Sequence, residues 1–246
     1  MSISEKLTTI AENEQKVFDA GKKKEYDEFW DAVQKNGERT EYSFGFSADI
    51  WNSDNFKPKY PIAPVTAQNI FGYWGNLYNS PFYSTRIDFR EACVFDTSNC
   101  TNLSNAFINN RVVTGLGTID ARKAVVSGIF NGVPNLEVVE LMILKDEGSQ
   151  DFGNYAFYKC EKLVEIRFQG AIGRSVDLHY STQLSKDSIT SAMTHLLEDA
   201  SNQTITLSLA AVNKAFETSE GANDGTSNEE WGSLSSAAYN WSVSLI

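Results

Sequence analysis

The 246-residue chain is poor in the side chains that build metal centres and disulfide frameworks. It holds two histidines, His179 and His195, and three cysteines, Cys93, Cys100 and Cys160. Neither histidine has a second ligand at metal-binding spacing, and an odd number of cysteines without a C-x-x-C pair argues against a disulfide framework or a structural zinc site. We therefore expect no metal and no cofactor, and we interpret the cysteines as small core residues.

Basic residues are also scarce, since 21 lysines and arginines stand against 32 aspartates and glutamates. The resulting net charge of −11 repels phosphate backbones unless basic residues cluster locally. The one dense basic group, Lys22–Lys24, is followed at once by Glu25, Asp27 and Glu28, which indicates a solvated helix face of mixed charge. We expect no binding to nucleic acid.

Long apolar runs are missing as well. No stretch approaches the roughly 18 apolar residues that a membrane span requires, and the run Val138–Leu144 is interrupted by Glu140. The first ten residues, MSISEKLTTI, lack the basic and apolar regions of a secretion signal. We therefore expect no signal peptide, no membrane insertion and synthesis in the cytoplasm.

The sequence contains none of the motifs G-x-S-x-G, Walker A and G-x-G-x-x-G. Gly115–Gly117 is too short for such a loop and is interpreted as a turn. Carboxylate pairs for glycan cleavage, Asp88 with Glu91 or Asp146 with Glu147, are candidates by abundance alone. A solvated surface explains these carboxylates better, so we expect a protein that is not an enzyme.

The middle of the chain repeats a pattern anchored on Phe107, Phe130 and Phe157, which are 23 and 27 residues apart. Self-similarity at such a period is typical of solenoids. The recurring positions are six residues after each anchor (Val113, Leu136, Leu163), nine after (Leu116, Val139, Ile166) and eleven after (Thr118, Leu141, Phe168).

Each unit is predicted to hold a strand with alternate residues pointing inward, then a turn and a short helical segment that carries the phenylalanine. Because one unit cannot bury its apolar side alone, stacked units should share one core, with phenylalanine layered on phenylalanine. Asp96, Asp120 and Asp146 precede the anchors by ten or eleven residues and are expected to accept N–H bonds from turns. The predicted inward residues of the second unit are Val139, Leu141 and Ile143.

Two segments of different character precede the repeats. Residues 1–38 carry helical apolar stripes and are interpreted as a head for attachment or oligomerisation, with packing against the protein's own body as the alternative. Residues 39–65 contain Pro58, Pro61 and Pro64 and indicate an extended linker. The repeat body is assigned to residues 66–180.

Residues 181–246 predict an α/β module that caps the open end of the repeats. The module should begin with a helix whose N-cap is Ser185. The apolar stripe of this helix is Ile189, Met193, Leu196 and Leu197. The later elements are predicted as a strand over Thr204–Ser208, a helix over Ala210–Phe216, a helix over Trp231–Tyr239 and a strand from Trp241 to Leu245.

Six aromatic residues crowd into residues 71–83. Such a segment could stack on sugar rings or anchor a protein interface. It could also cap the first open end of the repeat core, and the sequence favours the cap. The residues are Phe71, Tyr73, Trp74, Tyr78, Phe82 and Tyr83.

The segments Phe95–Phe107 and Ala156–Ile166 resemble the repeat of BspA-type leucine-rich-repeat proteins. That repeat pairs Ala-Phe with a nearby Cys or Asn, and then with Leu and Ile at these offsets. The resemblance covers residues 66–180, and the whole chain also resembles uncharacterised proteins of gut bacterial genomes and their phages. It implies an α+β fold in which a short leucine-rich-repeat-like solenoid lies between an N-terminal helical head and a C-terminal α/β cap.

The same resemblance implies a component of a virion or phage-like particle, such as a tail fibre, a spike or a head decoration, whose repeats serve recognition. No catalytic residues belong to the family pattern. The expected partners are a protein within the particle and/or a glycan or protein of the host surface. The head suggests a homo-oligomer, with a trimer as the expected form. The alternative is a stand-alone adhesin module that binds carbohydrate or protein.

Overall fold

A computed structural model describes residues 12–13, 68, 72, 86–90, 96–146, 150–217, 228–238 and 240–246. The chain divides into two compact units, residues 1–36 and 37–246. Of the first unit, the described residues Glu12 and Asn13 are helical and exposed. The rest of the predicted head and the predicted linker lie outside the described residues.

The described residues of the second unit form strands and short helices. The strands are β1 (Ile87–Asp88), β2 (Val113–Asp120), β3 (Val138–Ile143), β4 (Glu165–Gln169), β5 (Val176–Asp177), β6 (Gln203–Leu207) and β7 (Trp241–Leu245). The helices are α1 (Lys186–Thr194), α2 (Leu209–Phe216) and α3 (Glu229–Ser236). Among the described residues, no helix is long and apolar enough to cross a membrane.

A β-solenoid spans residues 87–206, with the three short helices in the C-terminal part of the chain. Strands β1 to β4 follow one another in a parallel sheet, in the order of the sequence. Leu116 lies opposite Val139, and Val139 lies opposite Ile166, so the positions nine residues after each anchor are in register. The predicted repeat is therefore confirmed as one turn of a parallel coil per unit.

The anchoring phenylalanines stack in the core as the repeat predicts. The ring centroids of Phe107 and Phe130 are 5.7 Å apart, and those of Phe130 and Phe157 are also 5.7 Å apart. Phe152 contacts Phe157 at 5.8 Å and meets Phe168 edge to face at 6.3 Å. All five rings are almost completely buried, so each of the three turns anchored on phenylalanine contributes an aromatic layer to one continuous core.

The segments that carry these phenylalanines are arcs of tight turns, and the prediction of short helices there is wrong. Within an arc, alternate amides donate to the carbonyl three residues earlier, as Asn110 N does to Phe107 O at 3.0 Å. Two residues after each anchoring phenylalanine, the backbone adopts a left-handed conformation, which prevents the turns from continuing into a helix. These residues are Asn109, Gly132 and Lys159. Adjacent arcs are joined by amide–carbonyl bonds, such as Phe107 N to Ile129 O at 2.9 Å.

The inward face of β3 differs from the predicted alternation. Val139 and Met142 are buried, whereas Leu141 and Ile143, predicted to point inward, are partly exposed. The pairing of β3 with β4 is irregular between Val139 and Met142, which adds one residue to β3. Because successive side chains in a strand point to opposite faces, one extra residue moves every later side chain to the other face.

A further turn of the solenoid was not recognised in the sequence because a leucine replaces the phenylalanine. Ser181 N donates to Leu178 O at 2.9 Å, as Cys160 N donates to Phe157 O at 3.1 Å. Leu178 is fully buried and lies 21 residues after Phe157. Leu178 occupies the position that phenylalanine holds in the other turns. A repeat pattern anchored on phenylalanine therefore does not detect this turn.

Helix α1 takes the place of the next strand and covers the edge of β4. The hydroxyl of Ser188 accepts from Ile166 N, and that of Ser191 accepts from Phe168 N, both at 2.9 Å. Two amides at the edge of β4 thus donate to helix side chains and not to a further β-strand. The predicted N-cap is confirmed, since the side chain of Ser185 accepts from Ser188 N.

A second parallel sheet has the order β5–β6–β7. From α1 onward, the elements agree with the predicted helix, strand, helix, helix and strand to within a few residues. The stripe predicted for the first helix is shorter than expected, because α1 ends at Thr194. Leu196 instead forms an isolated bridge with Ile172.

Candidate recognition surfaces

The outward face of the first sheet carries a charged pocket of about 280 Å³, here called the sheet-face slot. Neighbouring strands supply alternating outward side chains, so charged residues from β3, β4 and the residues after β1 converge. The slot is lined by Arg90, Glu140, Glu165 and Arg167, together with the buried Val139 beneath them.

Two glycines in β2 lie beside residues that line the slot, and the interpretation of Gly115–Gly117 as a turn is wrong. Both glycines lie within the strand, with Gly115 opposite Val138 on β3 and Asp88 on β1. A Cβ at Gly115 would overlap the carboxylate of Asp88, so this glycine makes room for that side chain. A Cβ at Gly117 would meet nothing closer than Arg90 O, at 3.6 Å. Packing therefore requires Gly115 but does not require Gly117.

Arg90 is held in place at one side of the slot by Asp88. Its Nε lies 2.9 Å from both carboxylate oxygens, and its backbone amide donates to Oδ1 at 3.0 Å. The bond to Arg90 lowers the pKa of Asp88. The pKa of Arg90 is raised, first by Asp88 and further by the charges of Glu140 and Glu165. The slot thus presents a fixed guanidinium among carboxylates.

An aromatic surface lies on the arcs of the third and fourth turns. Tyr155 meets Tyr158 edge to face at 5.7 Å, and Tyr158 meets Tyr180 edge to face at 4.8 Å. The ring of His179 lies 3.9 Å from that of Tyr180. We call these four residues the tyrosine row. The row forms because the arcs of successive turns stack, which places residues from about position 155 next to residues from about position 180.

The tyrosine row is open to solvent at one end and polar at its margin. Tyr155 is 58% exposed, and the other three rings are half-buried. His179 Nδ1 lies 2.6 Å from Asp177 Oδ1, and Lys159 Nζ lies 5.2 Å from the centre of the Tyr158 ring. Partial burial raises the pKa of Tyr180, and the neighbouring Tyr158 and Asp177 raise it further.

The residues predicted as a possible ligand or interface site, Tyr73, Trp74, Tyr78, Phe82 and Tyr83, lie outside the described residues, as does Phe71. The same holds for Glu91 and Glu147, one member of each carboxylate pair considered for glycan cleavage. The other member of the first pair, Asp88, is bonded to Arg90, and its lowered pKa keeps it ionised near neutral pH. A general acid for glycan cleavage requires the opposite shift.

Two of the three recurring aspartates, Asp96 and Asp120, have the structural role that the sequence predicts. Asp96 Oδ1 accepts from Ser98 N at 3.0 Å, and Asp120 Oδ1 accepts from Arg122 N at 3.1 Å. Within the described ranges, no group of three or more His, Cys, Asp and Glu side chains is placed to hold a metal ion. The described cysteines, Cys100 and Cys160, are buried, as expected of small core residues.

Sequence reasoning missed both surfaces for different reasons. The signal for the slot was present in Gly115 and Gly117, because glycine inside a strand often marks the close approach of a ligand or another backbone. The tyrosine row has a weaker signal, since Tyr158 and Tyr180 become neighbours only when the irregular fourth turn is recognised. Comparison of the chain with protein-family models, with curated proteins and with solved structures finds no match. The fold and the two surfaces therefore follow from this chain's own residues.

Proposed function

We propose that the protein is a non-catalytic recognition protein that binds a polar segment of a partner protein in the sheet-face slot. The observation that carries this proposal is Gly117. Glycine in the interior of a strand destabilises the fold by about 0.5–1 kcal/mol relative to alanine, and at this position a Cβ would fit without a clash. A Cβ there would lie 3.6 Å from Arg90 O and 3.7 Å from Glu140 Oε2, so this glycine leaves space beside two residues that line the slot.

The chemistry of the slot supports a polar protein segment as the ligand. Arg90 and Arg167 supply hydrogen-bond donors, and Glu140 and Glu165 supply acceptors. Such a lining can pair with backbone amides and carbonyls and with charged side chains of either sign. Solenoids commonly use an extended face of this kind for binding.

The resemblance of residues 66–180 to BspA-type leucine-rich repeats supports the finer assignment of the solenoid to that class. The resemblance of the whole chain to phage-related proteins supports a role on a virion or phage-like particle, as a tail fibre, spike or head decoration. A stand-alone adhesin module is the alternative. Both roles require a binding surface on the solenoid, so the first experiment concerns that surface.

The test uses a substitution that adds a side chain beside Arg90 and Glu140 without damaging the fold. We expect Gly117→Val to keep or raise the melting temperature, because a β-branched residue favours a strand. The wild type should select peptides from a random-peptide display library, and Gly117→Val should bind those peptides at least tenfold more weakly. Thr118→Val is the matched control, since it introduces the same side chain at the next, exposed position of the same strand.

Selection of no peptide by the wild type, or equal binding by Gly117→Val, would argue against the slot as the recognition site.

A separate screen addresses catalysis. Incubation with a panel of polysaccharides should release no reducing sugar. Hydrolysis that disappears in Glu140→Gln or Glu165→Gln would show that the protein is an enzyme.

A further inference from the structure

We propose that the tyrosine row is a second binding site, and that its ligand is a neutral carbohydrate chain. The row lies on the arcs of the solenoid and shares no residue with the sheet-face slot. Carbohydrate binding at the tyrosine row is therefore separate from peptide binding in the slot, and each can be tested without the other.

The exposed rings are the first reason. Among the described residues, the large hydrophobic side chains that are exposed are Val125, Tyr155 and Ile246, and Tyr155 alone belongs to an aromatic cluster. The neighbouring ring contact fixes Tyr155 against Tyr158, so little side-chain freedom is lost when a ligand stacks on it. Tyrosine combines an apolar ring with a hydroxyl, which suits a sugar ring that has apolar C–H groups on its faces and hydroxyls at its edge.

The polar groups at the margin are the second reason. Asp177 and His179 form a bonded pair at 2.6 Å beside the Tyr180 ring, and Lys159 lies over Tyr158. Together they offer donors and acceptors to sugar hydroxyls around the stacked rings. The carboxylate of Asp177 and the ammonium of Lys159 balance in charge, and the chain as a whole carries −11. A neutral saccharide fits this environment better than an acidic one.

The backbone of Lys159 is the third reason. Lys159 has φ of 56°, in the left-handed region, at the position that the two preceding turns fill with Asn109 and Gly132. A side chain other than glycine or asparagine is disfavoured there by about 1 kcal/mol. Lysine at this position supplies an ammonium group beside the Tyr158 ring that glycine would not supply.

The size of the row favours a saccharide over a protein partner. A stable protein interface buries about 800 Å² on each partner around an apolar centre. The tyrosine row consists of four rings. Exposed polar residues precede and follow Tyr155 and Tyr158 along the chain, namely Asp151, Asn154, Glu161 and Lys162. A strip of four rings is too small for such an interface and suits a single sugar chain better.

Affinity gel electrophoresis of the full chain through dextran, mannan, laminarin and xylan tests the proposal. We expect at least one of these neutral polysaccharides to retard the wild type. Tyr155→Ala should weaken that binding at least tenfold, and Tyr155→Phe should retain most of it because the ring remains. Lys159→Gly should weaken binding while keeping or raising the melting temperature.

Val125→Ser is the matched control, because Val125 is 53% exposed but lies outside the row. It should leave retardation unchanged, as should Gly117→Val, which adds a side chain beside residues of the separate slot. Absence of retardation in all four gels would overturn the proposal, as would retardation that Tyr155→Ala leaves intact. Loss of self-association or of peptide binding in Tyr155→Ala, without any polysaccharide binding, would make the row a protein interface and would also overturn it.

Discussion

At the residue scale, the phenylalanine stack joins the turns of the solenoid into one core. Phe130 lies at the centre of that stack, with the rings of Phe107 and Phe157 both 5.7 Å from its own. Its side chain is inaccessible to solvent, so its removal leaves a cavity between two turns. The surrounding turns cannot close that cavity easily, because their backbones are bonded to one another along the arcs.

We therefore expect Phe130→Ala to lower the free energy of unfolding by about 3–5 kcal/mol. Urea denaturation followed by circular dichroism measures this change. Val125→Ala is the control, since the exposed Val125 should change stability by less than about 0.5 kcal/mol. Similar decreases in the free energy of unfolding for the two variants would show that the phenylalanine stack does not stabilise the core.

Cys160 gives the core a dependence on alkaline pH. Burial raises the pKa of its thiol from 9.0 to about 12, and its Sγ lies 3.2 Å from Phe130 O. Between these values the unfolded chain loses the thiol proton while the folded chain keeps it. The contribution of Cys160 to stability is therefore fully present below about pH 9 and is lost as the pH rises towards 12.

The difference in unfolding free energy between the wild type and Cys160→Ala should thus shrink between pH 8 and pH 10.5, by at most about 1.4 kcal/mol for each pH unit above the unfolded pKa. Urea titrations of both proteins across this range measure it. The other titrating groups are common to both proteins and cancel in the difference. A difference that stays constant with pH would contradict the prediction.

At the scale of elements, α1 serves as a cover for the last strand of the first sheet. The buried hydroxyl of Ser188 accepts from Ile166 N at 2.9 Å and donates to Val164 O at 3.1 Å. An uncovered strand edge offers amides and carbonyls to other chains and promotes aggregation. The two serine bonds satisfy part of the edge of β4 without adding another strand.

Ser188→Ala should lower the free energy of unfolding by about 1–3 kcal/mol, because it leaves the buried Ile166 amide without its acceptor. Hydrogen–deuterium exchange at Ile166 should become faster, while exchange in β2 should follow only the global loss of stability. Ser191→Ala is the companion variant and should have the same local effect at Phe168. Unchanged exchange at Ile166 would mean that the helix does not protect this edge.

At the scale of the whole molecule, residues 1–36 form a compact unit separate from residues 37–246. The hypothesis that residues 1–38 mediate oligomerisation can therefore be tested by removing them. As a component of a particle, the full chain should form an oligomer through residues 1–38, and a trimer is the expected stoichiometry. Removal of these residues should leave a folded monomer that keeps the solenoid.

Light scattering coupled to size-exclusion chromatography measures the mass of both proteins. A trimer that becomes a monomer on truncation would identify the head as an assembly element. A full-length monomer would contradict this expectation and would direct attention to a partner that the head binds.

The sequence by itself determined the repeat and its core. Phe107, Phe130 and Phe157, with apolar residues at constant offsets, predicted stacked turns, and the positions nine residues after each anchor pair in register. Local signals such as the N-cap at Ser185 were equally readable. These features depend on nearby residues and on a strict period, which a linear sequence displays directly.

Only the tertiary structure decided which residues meet on the surface. The extra residue in β3 moves Leu141 and Ile143 outward, although their alternation alone places them inward. The sheet-face slot combines residues of three different turns, and the tyrosine row depends on the short fourth turn that brings Tyr180 beside Tyr158. Stacking brings residues that are far apart in the sequence into contact on neighbouring turns. One inserted or missing residue in a turn changes which residues make these contacts. The surfaces therefore depend on the register between turns, which the repeat pattern alone does not specify.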